Sequence, residues 1–309
     1  MMTLTPKHLA ALAAAALLAA RAGAQEPAAR IDTTFAFDRN GWVDATAISG
    51  TIVVTGWTRP EARVVARTDR GLIEPTFSRA RITLSPRPER YSRSRSGMGE
   101  TYYELSVPVG TRVMVNATSG NIRVRGTAAE VQASTTSGNI EIVDAADRIV
   151  AQTTSGDIRL NKIRGRTRVG VTSGDLELDD ITGSLEVRSV SSDMKIRHVD
   201  VDDLRIGTTS GNITFDGAID PHGTYEISSH SGDVQFEIPA GAGAALSLQT
   251  FSGEIDSAFP MTLQPGQNLR RARGQRMEFT IGNGGARIAI TTFSGDITIA
   301  RGPARSRED

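Results

Sequence analysis

Polar and apolar residues alternate in short runs along most of this chain, and one tetrapeptide punctuates the alternation. It reads Ser-Gly-(Asn/Asp)-(Ile/Leu/Val) at Ser119–Ile122, Ser137–Ile140, Ser155–Ile158 and Ser173–Leu176. A degenerate copy, Ser191-Ser192-Asp193-Met194, follows, then Ser210–Ile213, Ser231–Val234, Ser252–Ile255 (with Glu254) and Ser294–Ile297. The Ser-to-Ser steps are 18, 18, 18, 18, 19, 21, 21 and 42 residues. Two, four and six residues before Ser119 lie Ala117, Val115 and Val113; three and five residues after it lie Ile122 and Val124. The same offsets hold Thr135, Ala133, Val131, Ile140 and Ile142 around Ser137, and comparable residues in later copies. A period of two marks a half-buried strand, so each repeat predicts two short strands with one buried face.

Ser-Gly-Asn/Asp falls between the two strands and predicts a corner, since Gly accepts positive φ and Asn or Asp bonds its own backbone nearby. A third inward position eight residues after the Ser (Ile163, Ile181, Val199) predicts a short third side. Neither strand can close its hydrogen bonds within its own repeat, so the coils must stack. The chain is therefore expected to be all-β, a right-handed parallel β-helix (β-solenoid) of 18–21-residue coils. Outward positions support stacking. Arg123, Glu141, Arg159, Glu177 and Lys195 alternate in sign, as do Arg168, Glu186, Arg205 and Glu226, and stacked coils would set opposite charges side by side.

The expected organisation is a signal peptide at 1–24, irregular β cap and coils at 25–110, the regular solenoid of about eight coils at 111–256, C-terminal coils and cap at 257–300, and a polar tail at 301–309. Residues 42–52 hold an outlying motif copy about four coil lengths upstream of Ser119, which predicts irregular coils between the two. Arg87 to Glu100 reads as a solvated hairpin loop, and Pro260 to Gln275 as an insertion. The 42-residue step equals two 21-residue coils, the middle one lacking its motif.

Composition adds the compartment. Lys7 and His8, the apolar run Leu9–Ala20 and the A-x-A site Ala22-Gly23-Ala24 form a cleavable secretory signal. That run is too short to span a bilayer, and no transmembrane segment is expected in the mature chain. Export to the periplasm, the medium or the cell surface follows. The chain has no cysteine, which removes thiolate chemistry and Cys-based metal sites. Formal charge is zero, with 35 basic and 35 acidic residues, which argues against nucleic acid as a partner.

The repeat pattern T-x-S-G-D/N-I-x-I resembles the bacterial adhesin-domain family known as domain of unknown function 4097. So do the closing segment Ile281–Ile297, the lead-in Val107–Gly110 and Thr55-Gly56-Trp57. The resemblance covers residues 31–300. It implies a β-solenoid protein of the envelope or cell surface, some members being tied to envelope-stress signalling, and it transfers no catalytic residues.

Candidate chemistry is sparse. The corner column Asp157, Asp175 and Asp193 is the one metal candidate, since Ca²⁺ takes carboxylate oxygens; the competing reading has each Asp holding its own corner. One residue before the Ser, an outward Thr column (Thr118, Thr136, Thr154, Thr172, Thr209) changes to His230, Phe251 and Phe293. These three form a possible binding patch for a protein or a sugar, unless the insertion folds over them. No metal-ligand His spacing, G-x-S-x-G, P-loop or dinucleotide fingerprint occurs. The expected function is a non-catalytic, cofactor-free, exported envelope protein of adhesin or scaffold type. Its partner would be a protein or glycan of the envelope or of a foreign surface. The alternatives are an envelope-stress component binding a membrane regulator and a carbohydrate-active β-helix enzyme.

Overall fold

A computed structural model describes residues 23, 24, 26, 28–87, 99–260 and 276–303. Most of the expected signal (residues 1–22), Arg90, Arg93, Arg95, the segment 261–275 and residues 304–309 lie outside the described residues. The strands are β1 (Gly23–Ala24), β2 (Arg30–Ala36), β3 (Trp42–Trp57), β4 (Glu61–Thr68), β5 (Leu72–Phe77), β6 (Arg81–Arg87) and β7 (Thr101–Pro108). Then come β8 (Arg112–Thr127), β9 (Val131–Ser137), β10 (Ile140–Ser155), β11 (Ile158–Ser173), β12 (Leu176–Ser191), β13 (Met194–Ser210) and β14 (Ile213–Ser231). The last are β15 (Val234–Pro239), β16 (Ala244–Ser252), β17 (Ile255–Ser257), β18 (Arg276–Ile281), β19 (Ala286–Ser294) and β20 (Ile297–Gly302). No helix occurs among the described residues.

The fold is a parallel β-solenoid. From β8 to β15 successive coils pair in parallel, as in Ile140↔Ile158, Ile158↔Leu176 and Leu176↔Met194, with register shifts within the β12–β13 and β13–β14 pairings. The inward columns are buried: Ile122, Ile140, Ile158 and Leu176 on one side, Val115, Ala133, Ala151 and Val169 on another. The expected charge partners meet, with Arg123 at 3.3 Å from Glu141 and Arg168 at 2.7 Å from Glu186. The short third side is bounded by a column in the left-handed region seven residues after each Ser: Gly126, Asp144, Lys162, Asp180 and His198, with φ of 51–68°. Sequence reasoning missed that corner because only one of those residues is glycine.

The Ser-Gly-Asn/Asp corner is held in two ways. Gly138, Gly156, Gly174, Gly211, Gly232 and Gly295 have φ between 116° and 150°. Each also approaches the carbonyl of the coil before: a Cβ on Gly156 would lie 2.2 Å from the Gly138 oxygen. The next residue makes a ladder. Asn139 Oδ1 accepts the Asp157 amide at 2.9 Å, Asp157 Oδ1 the Asp175 amide at 3.1 Å, and Asp193 Oδ1 the Asn212 amide at 2.8 Å.

Stack order at both ends differs from chain order. The motif copy in β3 does not sit four coils away from β8 but lies directly against it, with Ser49↔Ser119 and Gly50↔Gly120. The residues between run out to a cap and return. There, β6 and β7 pair with the outer edge of β3, β4 runs antiparallel to β7, β2 to β4, β5 to β6 and β1 to β5. Arg87, expected in a solvated loop, ends β6 and pairs with Glu74 at 3.2 Å.

At the C-terminal end the last coil is inserted. Ser231 pairs with Ser294 and Val234 with Ile297, and β19 and β20 then pair on their other edge with β16 and β17. The 42-residue step is therefore not two coils in succession. The chain forms the outermost parallel coil with β16 and β17, returns as β18 antiparallel to β16, and passes back inside it. The turn Gly282-Asn283-Gly284-Gly285 makes this crossing, its Gly282, Gly284 and Gly285 at φ 58°, 75° and 123°. It packs against the chain just before β16, where a Cβ on Gly243 would meet Asn283 and Gly284 at 2.2 and 2.3 Å.

This order is checked by disulfides in a protein that has no other cysteine. Ser228→Cys with Thr291→Cys, opposite each other in β14 and β19, is expected to crosslink on oxidation. Ser228→Cys with Gln249→Cys is not, because two strand spacings, about 10 Å, exceed the roughly 7 Å limit for a disulfide. A stack in chain order would reverse the two results.

Candidate binding face

The insertion creates one sheet face from β14, β19, β16 and β18. Its exposed rungs follow from the pairing: Thr224, Arg287, Ala245 and Thr280; Glu226, Ala289, Ser247 and Glu278; Ser228, Thr291, Gln249 and Arg276. Beyond them His230, Phe293 and Phe251 stand on neighbouring strands. Their rings stack: His230 on Phe293 at 4.9 Å and 9°, Phe293 on Phe251 at 4.9 Å and 6°. Phe251 is 58% and Phe293 49% exposed, the two most exposed phenylalanines of the described chain. Phe293 is central because its coil is the inserted one. In chain order Phe251 would have stood beside His230.

Separated from this stack by the rung of Ser228, Thr291, Gln249 and Arg276, the small side chains Ala245, Ser247 and Ala289 leave a hollow of about 470 Å³. Glu226 on β14 and Glu278 on β18 wall it, and Arg287 closes its far end; none of these three has an ion-pair partner among the described residues. The structure thus brings the three residues picked from the sequence together and adds a hollow that sequence reasoning missed. A signal was present. Where regular coils carry long charged side chains outward, Ala245, Ser247 and Ala289 are short. The walls, however, belong to strands brought together only by the crossing turn.

The stacking also limits the chemistry. Phe293 has both ring faces covered, and His230 and Phe251 have one each covered. What remains open is a strip of ring edges and one outer face each of His230 and Phe251, which suits apolar contact with a side chain.

The acidic corner column behaves differently. Asp157 and Asp193 use Oδ1 on backbone amides of the next coil, and Asp157 Oδ2 lies 3.3 Å from Arg159. Among the described residues no group of three or more acidic, His or Cys side chains is arranged to hold a metal.

The repeat architecture has a family counterpart. The family model Toastrack DUF4097 matches residues 95–300, well over half of the chain. The chain belongs to the Toastrack family. The matched Toastrack segment begins after β3, although β3 completes the first coil of the stack. No curated protein matches the chain. Among solved structures, a candidate cell adhesion protein from Clostridium sporogenes is similar at 6% identity, with 88% of this chain and 100% of that one covered and a TM-score of 0.25. A candidate adhesin from Bacteroides fragilis is similar at 10% identity, with 87% and 96% covered and a TM-score of 0.37. No helix among the described residues of this Toastrack chain is long and apolar enough to cross a membrane.

Proposed function

We propose that this chain is a non-catalytic, exported envelope protein of adhesin type that binds a protein partner through the β14–β19–β16–β18 face. The exposed stack of His230, Phe293 and Phe251 carries this reading. Large apolar rings in contact with water are unfavourable unless something covers them in use, and contiguous exposed apolar surface marks interaction sites. The hollow on the same face, one rung away from the stack, offers a socket, and its two carboxylates favour a partner carrying a basic group. Binding here needs no nucleophile or proton donor. The repeats build a rigid rod, and the departures from the repeat supply the recognition.

The test is crosslinking in the native envelope of the wild type and of the double variant Phe251→Ser, Phe293→Ser. The wild type should capture one protein partner, and the variant should lose it. The melting temperature should fall only slightly, because each stacked pair contributes about 0.5–1.5 kcal/mol. If the variant captures the same partner, or if it unfolds, the rings serve the fold and the reading fails.

A further inference from the structure

We propose that β2 pairs edge to edge with β2 of a second copy, joining two molecules end to end; this does not rest on the aromatic face. β2 is the last strand on its side of the stack, beyond β3, β7 and β4. Two bonds fix which way its backbone faces. The Thr68 amide donates to the Ala29 carbonyl at 2.9 Å, and the Phe37 amide to the Pro60 carbonyl at 3.2 Å. Residues of an antiparallel strand point their N–H and C=O groups alternately to one edge and the other. Ile31, Thr33 and Phe35 therefore also face β4, and the backbone groups of Arg30, Asp32, Thr34 and Ala36 face outward. No described residue pairs with that outer edge.

The neighbouring edge at this end of the stack is closed. On β5, Ile73 faces outward and exchanges both bonds with Ala28, at 2.9 and 3.0 Å. Pro75, the next residue facing the same way, has no N–H to offer. Proline and covering segments are the usual devices that keep sheet edges from pairing. β2 has neither. It is a seven-residue strand without proline or lysine, in an unbroken ladder with β4. Such an edge is a template for another strand.

The charges select the occupant. An antiparallel pair centred on Thr33 sets Arg30 against Ala36 of the second copy and Asp32 against Thr34. All four are outward positions, so every pair exchanges both of its bonds and no outward group of β2 is left over. Other centres pair fewer of the four residues or set Asp32 against itself. With β4 included, one rung reads Arg67 and Arg30, then Ala36 and Glu61 of the second copy. The next reads Val65 and Asp32, then Thr34 and Arg63 of the second copy. Opposite charges thus meet across the joint, with a short side chain between them that an arginine can reach over. Within one copy Arg30 stands against Arg67, a like-charge pair that costs stability, and Arg30 has no ion-pair partner among the described residues. The joint brings it the Glu61 carboxylate of the second copy.

A two-fold pairing uses the same patch on both molecules, so it stops at the dimer. The β14–β19–β16–β18 face lies at the other end of each stack, away from the joint. The dimer would carry two such faces, and two linked sites hold a multivalent surface more tightly than one. That consequence, unlike the dimer itself, rests on the proposed function.

Sedimentation equilibrium of the exported chain at about 100 μM, where a pair of micromolar affinity is mostly associated, tests the joint. The wild type should give twice the monomer mass. Thr34→Pro should give the monomer, with its circular dichroism unchanged, because the Thr34 N–H faces away from β4. Ala36→Arg should also give the monomer. It sets an arginine against Arg30 of the second copy, while within its own chain the exposed position 36 faces Glu61. Adding Arg30→Glu to Ala36→Arg should restore the dimer. If Thr34→Pro unfolds, the two charge variants decide. The proposal is overturned if the wild type is monomeric, if the dimer persists in Ala36→Arg, or if the charge exchange fails to restore it. A mass that keeps rising with concentration would also overturn it, by showing an open head-to-tail chain.

Discussion

Gly156→Ala is expected to destabilise the protein by about 3 kcal/mol or more, although it adds one methyl group at a surface corner. Two costs combine. Gly156 has φ 139°, and a non-glycine residue held in that region costs about 1–3 kcal/mol. The new Cβ would also lie 2.2 Å from the Gly138 oxygen and 2.6 Å from its carbon, which forces neighbouring coils apart. Overpacking of that kind costs a further 1–3 kcal/mol or so. The coil cannot yield locally, because the Gly156 amide donates to the Ser173 carbonyl and the Asp157 amide to Asn139 Oδ1. Gly170→Ala is the matched control. Its Cβ would meet only Gln152 Cγ at 3.5 Å, and its φ lies outside the left-handed region. It should change stability by no more than about 0.5 kcal/mol, and in the favourable direction. Chemical denaturation of the two variants makes the measurement. Equal stabilities would refute the close-approach account of the motif glycine.

Ile297→Asp is expected to be worse still, at about 5 kcal/mol or more, since it deletes a buried side chain and buries an unpaired carboxylate. Ile297 follows the motif of the last coil in the chain but not in the stack. It is fully buried between Val234 and Ile255. Among the described residues Ile255, one motif earlier, pairs only with Ile297, and it is partly exposed. Ile255→Asp should therefore cost no more than about 1–2 kcal/mol, the transfer cost of a partly buried aliphatic side chain. Coils stacked in chain order predict the opposite ranking. Thermal melts of the two variants decide, and a larger loss for Ile255→Asp would remove the inserted coil.

The same contrast shows which parts of the molecule the sequence discloses. The inward columns, the corner and the alternating charges are legible because each is a local property repeated at a fixed period. Ile140 pairs with Ile158 and Glu141 with Arg159 for the reason that places them 18 residues apart. The Gly column is half legible. The sequence suggests positive φ, but the contact with the preceding carbonyl exists only between coils. The choice of His230, Phe251 and Phe293 as one group was also local, since all three stand one residue before a motif Ser. Their order across the face, and the hollow walled by Glu226 and Glu278, were not.

By itself, then, the sequence determines what a coil is: two strands, a glycine corner, a buried face and a rung of outward charges. Only the tertiary structure decides which coil lies against which. Every motif coil offers nearly the same parallel edge, so Ser231 could pair in register with Ser252 as well as with Ser294. The repeat carries no information that separates these choices. The non-repeating parts separate them: the Gly282–Gly285 turn that crosses before β16, and the cap strands that let β3 meet β8. Function follows the same division, because the candidate binding face lies where a coil is inserted and the neighbours of a side chain can no longer be read from the period.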